Sequence, residues 1–246
     1  MKILETNNII HSYDNGKEIL NGVNIHLNKQ EIVSILGTSG SGKTTLFNII
    51  SGNITPDSGE VLYHGINING TKGNFSYMLQ KDLLFPYYTI LENICLPLKI
   101  SGVRKSEAWK LARSYFKEFG LEGTENLYPY ELSGGMRQRA ALLRTYLNHN
   151  EVILLDEPFS ALDMITKDAM HHWFLNVVKE HGISGLFISH DIEEAIFLSN
   201  RIYILNDEGT ISNEFLIFRP DDSEDFKLSE KFLRYKKAIT KAIAWK

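Results

Sequence analysis

Val33-Ser34-Ile35-Leu36 is a short, β-branched apolar run that leads into Gly37, and Leu46-Phe47-Asn48-Ile49-Ile50 follows it before Gly52. This pattern predicts a strand, a glycine loop and a helix closed by glycine. Thr55-Pro56-Asp57-Ser58-Gly59 is dense in turn formers and separates that unit from strand candidates at Glu60–Tyr63 and Phe75–Leu79. From about Lys81 to Asn150 the character changes. Segments such as Lys105–Phe119 space their apolar residues at helical intervals and carry charged faces. Strand signals return at Val152–Leu155, Gly185–Ile188 and Arg201–Leu205. The pattern therefore predicts a helical lobe at about 81–150, inserted between two parts of a strand-rich core at about 1–80 and 151–215. On the lysine-rich tail at about 216–246, Leu228, Phe232, Tyr235, Ile239 and Ile243 recur at helical spacing, and packing against the chain's own core is expected of them. Neither an internal repeat nor a low-complexity linker is visible.

Bulk properties bound what this organisation can do. With 246 residues, 43% of them hydrophobic, the chain can bury one sizeable core with an inserted lobe, but not two large independent domains. A net charge of -4 argues against a dominant nucleic-acid surface, which needs a clustered basic face. Cys95 is the single cysteine and has no internal disulfide partner. The start, Met1-Lys2-Ile3-Leu4-Glu5, lacks the apolar run of a signal peptide, and no segment approaches the ~20 apolar residues of a membrane-spanning helix. A cytosolic setting is expected, with any membrane role exercised through a partner or a surface contact.

Phosphate chemistry is written into two segments. Gly37-Thr38-Ser39-Gly40-Ser41-Gly42-Lys43-Thr44 fits GxxxxGK[ST] at every defined position, between a predicted strand and a predicted helix. Glycines let successive backbone N–H groups turn towards a triphosphate, the helix N-terminus adds positive potential, and Lys43 supplies a mobile cation. Thr44 offers a hydroxyl to Mg²⁺, and Thr45 adjoins it as a further nucleotide-binding candidate. A glycine-rich turn with a solvated lysine would explain the glycines, but not the strand before them and the helix after. The apolar run Val152–Leu155 reads as a buried strand that delivers Asp156 to the metal and sets Glu157 one step further, aimed at an attacking water. On its own that pair could equally be a solvated strand end; the phosphate loop gives it a role.

Leu132-Ser133-Gly134-Gly135-Met136-Arg137-Gln138, just upstream of Val152-Ile153-Leu154-Leu155-Asp156-Glu157-Pro158, resembles the signature of ABC-type ATPases. A serine and two glycines that open a helix form an anion-binding N-terminus, whereas a plain N-cap accounts for Ser133 but not for Gly134 and Gly135. Four more elements match that family in order. Gln80 resembles the Q-loop glutamine that touches Mg²⁺ or water. His190, after Leu186-Phe187-Ile188-Ser189, resembles the switch histidine that bonds the γ-phosphate. Ser160-Ala161-Leu162-Asp163 resembles the D-loop, where Asp163 meets the partner subunit, and Tyr13 resembles the aromatic that stacks on adenine, a core-packed strand tyrosine being its rival.

The chain thus resembles ABC transporter ATP-binding subunits over essentially its whole length. The resemblance implies an α/β fold: a RecA-like P-loop NTPase core with an antiparallel β-subdomain and an inserted α-helical lobe, making one ATPase domain over residues 1–246. It implies ATP and Mg²⁺ as cofactors, with Thr44, Gln80 and Asp156 toward the metal and Lys43, Gln80, Glu157 and His190 in catalysis. It further implies a homodimer in which Ser133, Gly134 and Gly135 contact the γ-phosphate bound to the opposite subunit. The expected partners are an integral membrane permease and, indirectly, a solute-binding protein, with no nucleic acid, and the expected place is the inner face of the cell membrane. A permease helix is expected in the groove at roughly Gln80–Ile100, and the amphipathic tail has a membrane-surface or permease contact as its alternative.

Within the family, Leu83-Leu84-Phe85-Pro86, Tyr128-Pro129-Tyr130-Glu131 and Arg219-Pro220-Asp221-Asp222 are similar to importers of nitrate, aliphatic sulfonates, taurine and thiamine precursors. Tyr87, where those relatives often carry tryptophan, and Gln30, where glycine commonly precedes Glu31, depart from them. The alternatives are a soluble ABC ATPase outside transport, an exporter ATPase, and a P-loop phosphotransferase. The last leaves Ser133-Gly134-Gly135 and His190 without roles.

Overall fold

The computed structural model describes residues 1–13, 16–219 and 224–244. They form two compact units, Met1–Phe75 with Val178–Lys246, and Ser76–Val177. Of the tail tetrapeptide Arg219-Pro220-Asp221-Asp222, only Arg219 lies within the described residues.

In the first unit, strands β1 (Lys2–Ser12) and β2 (Glu18–Asn28) pair antiparallel, and β3 (Ile32–Leu36) follows. Helix α1 (Lys43–Ile50), β4 (Ser58–Tyr63) and β5 (Ile66–Asn67) come next, and β2-β1-β4-β5 make an antiparallel sheet. Along β2 the buried Val23, Ile25 and Leu27 alternate with polar residues, which turns one face to the core. That alternation fails in β1, where the register shifts between Thr6 and Ile9. Asn8 sits there at φ 51 with its N–H donating to Asn24 Oδ1 at 2.8 Å, an extra residue accommodated as a bulge. Gly59 belongs to β4 rather than to the turn before it. Its φ is 91, and a Cβ there would stand 2.3 Å from the Asn8 carbonyl oxygen, so only glycine fits.

All five residues of β3 are buried. The run is apolar except for Ser34, whose hydroxyl bonds Ser199 Oγ, and it suits a strand flanked on both sides: β3 pairs in parallel with β8 (Ser184–Ile188) and β9 (Arg201–Leu205). β10 (Ile211–Leu216) pairs antiparallel with β9. Helices α7 (Ile192–Leu198) and α8 (Glu230–Ala244) complete the unit, and α8 packs against α7 and β10. Of its apolar stripe Phe232 and Ile239 are buried while Leu228, just before the helix, is exposed. The tail therefore packs on its own core.

In the second unit β6 (Ser76–Met78) pairs in parallel with β7 (Val152–Asp156), Tyr77 opposite Leu154. Helices α2 (Ile90–Ile94), α3 (Leu96–Ile100), α4 (Lys105–Phe116), α5 (Gly134–Tyr146) and the part of α6 (Met164–His181) up to Val177 supply the rest. Thr89 and Glu92 close a reciprocal capping box at the start of α2. Asn93, fully buried, shapes the loop before that helix: its Nδ2 donates to Phe85 O and Tyr88 O at 3.1 Å each, and its Oδ1 accepts from Phe85 N at 2.7 Å. The apolar centre is aromatic, with Phe119 and Trp173 in edge contact at 4.1 Å and Tyr146 beside both.

Candidate nucleotide site

The phosphate loop runs from the end of β3 to the start of α1. Gly37 lies so close to β9 that a Cβ would fall 2.2 Å from the Leu205 carbonyl oxygen, and Gly42 takes φ 98 as the N-cap of α1. Both positions need glycine, which fixes the curl of the loop. Ser39 and Gly40 at its tip are exposed, as is Thr44, whereas Ser41, Lys43 and Thr45 are buried. The Lys43 ammonium donates to Gly37 O at 2.9 Å and Thr38 O at 2.7 Å. A buried cation satisfied by loop carbonyls can exchange those neutral acceptors for a phosphate. Thr38 donates its hydroxyl to the Asp207 carboxylate, which ties the loop to the turn after β9.

Tyr13 follows β1. It is 45% exposed, its hydroxyl bonds Thr45 Oγ1 at 3.2 Å, and its ring meets His11 edge-on at 5.2 Å. One face of the ring is thus held against the unit and linked to the first turn of α1. His190 is exposed between β8 and α7. The segment around it is firmly anchored, because Ser189 is buried and bonded to the buried Glu194 carboxylate, while Asp191 caps α7 through Glu193 N and Glu194 N.

In the second unit, Asp156 ends β7 and is 3% exposed. Burial and the Asp156 charge together push the Tyr77 phenol well above its ordinary range, so it stays protonated beside that carboxylate. Glu157 follows with φ 51, a left-handed backbone that a non-glycine residue holds only under constraint. Gln80 Nε2 donates to Glu157 Oε2 at 3.1 Å, so the structure brings these two predicted residues together.

Ser133 is the N-cap of α5 and accepts from Met136 N at 3.3 Å; Gly134 and Gly135 form the first turn rather than preceding it. Ser133 and Gly134 are exposed. A Cβ at Gly135 would meet Leu162 Cδ2 at 3.2 Å, which gives this glycine a packing reason too. Asp163 accepts from Thr166 N at 3.0 Å at the start of α6, and its hydrogen bonds to Thr166 lower its pKa.

Three side chains that the pattern did not single out tie these loops together. Arg137 donates to Asp82 Oδ2 at 3.1 Å and Leu132 O at 2.8 Å, and Arg144 to Asp82 O at 2.6 Å and Leu83 O at 2.9 Å. Gln138, 5% exposed, bonds the main chain at Glu157 and Ala161. Its place in the signature-like heptad was visible in the sequence, its main-chain partners were not. A cavity of about 440 Å³ opens among Gln80, Leu84, Gly134, Arg137, Gln138 and Ser160.

Among the described residues no three His, Cys, Asp or Glu side chains cluster as a metal site. Within the second unit, the Gln80 amide and the Asp156 carboxylate are oxygen donors of the kind Mg²⁺ accepts, an ion that keeps several waters and takes one or two carboxylates plus phosphate oxygens. No helix among the described residues is long and apolar enough to cross a membrane.

Residues 20–160 match the ABC transporter family. The chain belongs to that family. It is an ATPase of the ABC class. It is 40% identical to the formylaminopyrimidine import ATP-binding protein ThiZ of Halalkalibacterium halodurans, over 98% of this chain and 95% of that protein. It is 36% identical to the nitrate import ATP-binding protein NrtD of Synechocystis, over 98% and 93%. Identity to the taurine import ATP-binding protein TauB of Escherichia coli is 37%, over 78% and 75%. Among solved structures it superposes on the dimeric ABC transporter cassette MJ0796 with a TM-score of 0.81 at 31% identity, over 88% of this chain and 100% of that one. The same cassette is known as a dimer in a post-hydrolysis state with ADP and Pi.

Proposed function

We propose that this ABC ATPase energises uptake of a small polar solute through a separate integral membrane permease, working as a homodimer on the inner face of the membrane. The observation that carries it is the near full-length match to ATP-binding proteins of formylaminopyrimidine and nitrate import, with a match over 78% of the chain to one of taurine import. Choice of cargo falls to the permease and a solute-binding protein.

Lys43 and the phosphate-loop N–H groups hold the phosphates, Tyr13 meets the adenine, and Thr44, Asp156 and Gln80 are the donors for Mg²⁺, which supplies charge neutralisation at the phosphates when bound. Ser133, Gly134 and Gly135 of one copy present a helix N-terminus to the γ-phosphate held by the other, and Asp163 contacts the partner copy. Glu157 orients the attacking water, and His190 donates to the γ-phosphate. Loss of that phosphate removes the charge bridging the copies, and the dimer reopens. Exposed Leu83, Phe85, Tyr87 and Tyr88 form the face offered to a permease helix.

Affinity capture of the chain from gently solubilised membranes of its host tests the transport reading. A co-purifying permease is the expected result. Recovery with soluble partners alone, and absence from the membrane fraction, would overturn it in favour of an ABC ATPase outside transport.

A further inference from the structure

Gln138 projects from the second turn of α5 and spends its whole side-chain amide on two stretches of main chain. Nε2 donates to Glu157 O at 3.1 Å and reaches Ser160 Oγ at 3.4 Å, while Oε1 accepts from Ala161 N at 2.9 Å. The Glu157 carbonyl also receives Ser160 Oγ at 3.0 Å and Ser160 N at 3.3 Å. One carbonyl is thus fixed by three donors, on the residue whose φ of 51 is the least comfortable in the loop.

A non-glycine residue keeps a left-handed backbone only where its surroundings over-determine it. Here the over-determination comes from a helix that begins, five residues earlier, at Ser133. Because Gln138 is 5% exposed, water cannot replace these bonds cheaply. Ala161 N, bonded to the same amide, lies in the loop that runs on to Asp163. One side chain therefore couples the helix start at Ser133, the backbone of Glu157 and the loop at 160–163.

We propose that Gln138 is a positioning residue for ATP hydrolysis: it holds the Glu157 main chain and the 160–163 loop in register with α5, so that Glu157 is aimed correctly only when that helix is in place. The inference rests on the reading that Glu157 orients the attacking water. Gln138 touches neither nucleotide nor water in this account and acts through the main chain it holds.

The full-length chain decides the matter through three variants measured for single-turnover hydrolysis, ATP affinity and thermal unfolding. Gln138→Leu keeps volume and removes all the bonds; turnover should fall about 10- to 100-fold, the cost of misplacing a catalytic group, while ATP affinity stays within about threefold. Gln138→Glu keeps the acceptor for Ala161 N but loses the donor to Glu157 O when ionised. Its turnover relative to the native chain should rise as pH falls from 8 to 6, because a buried carboxyl protonates early and then donates again. Native turnover in both variants, or a loss in Gln138→Leu that merely follows its unfolding temperature while Gln138→Glu behaves natively at every pH, would overturn the proposal. Glu157→Gln is the control on the underlying reading: if it hydrolyses ATP like the native chain, the role of Glu157 fails, whatever Gln138 does.

Discussion

Gln80 donates its side-chain amide to the Glu157 carboxylate across 3.1 Å, which joins a residue two past the end of β6 to the residue just after β7. The two strands pair in parallel directly behind them, Met78 opposite Leu155, so the contact rests on a rigid base.

Replacing Glu157 by Gln should lower kcat by about 10²- to 10³-fold, and Gln80→Ala by about 10-fold, with ATP affinity changed little in either. Steady-state hydrolysis paired with equilibrium nucleotide binding checks this. A variant that loses binding and turnover in proportion would place its residue in ground-state recognition instead.

Lys43 gives its donors to Gly37 O and Thr38 O, bonds that stabilise the loop only modestly because they are exchanged with water on unfolding. Lys43→Met should therefore leave the unfolding temperature nearly unchanged. It should weaken ATP binding about 10- to 100-fold, the worth of a charge-assisted bond to phosphate, as calorimetric titration would read.

Ser133 carries two roles that one substitution separates. Ser133→Ala removes the N-cap of α5 and should cost about 1 kcal/mol of stability. Ser133→Asp keeps a good N-cap and so should keep stability, yet it sets a negative charge where a phosphate is to bind. Denaturant unfolding should rank aspartate with serine, while ATPase activity should rank it below alanine.

Several parts of this arrangement were legible in the sequence because their chemistry forces local spacing. The phosphate loop needs glycine at Gly37 and Gly42 for close approach and positive φ, and β3 and β7 are buried throughout while β9 is buried after Arg201, so their apolar residues stand out in the sequence. The early antiparallel strands were harder to read, since the bulge at Asn8 breaks the period of two and Gly59 looks like a turn residue while serving a strand. Helix α1 starts at Lys43, ahead of its apolar run, because the loop's own geometry nucleates it. The contacts of Gln138, Arg137 and Arg144 were invisible for another reason. Those of Gln138 and Arg144 run to backbone carbonyls 19 to 62 residues away, and no side-chain pattern records a main-chain partner; Arg137 reaches the Asp82 carboxylate 55 residues away, a pairing that no local spacing announces.

Cys95 is buried, and burial pushes its thiol up to about 11 against the opposing pull of Arg113. At pH 8 the reactive thiolate is then on the order of 10⁻³ of the total, so the folded chain should resist thiol reagents until denatured. The folded state binds this proton more tightly than the unfolded one. Its contribution to stability is therefore present below about pH 9 and is lost as pH rises from there to about 11. A labelling rate equal in native and denatured chains would contradict the buried placement.

In the proposed dimer, ATP is held between two copies, by the Lys43 loop of one and the Ser133 helix start of the other. Sedimentation velocity of the Glu157→Gln chain with and without Mg-ATP tests it most directly. The expected result is monomers without nucleotide, dimers with it, and monomers again when Ser133→Asp is added to the same chain. Monomers at high protein concentration in saturating ATP, or a dimer indifferent to Ser133→Asp, would contradict it.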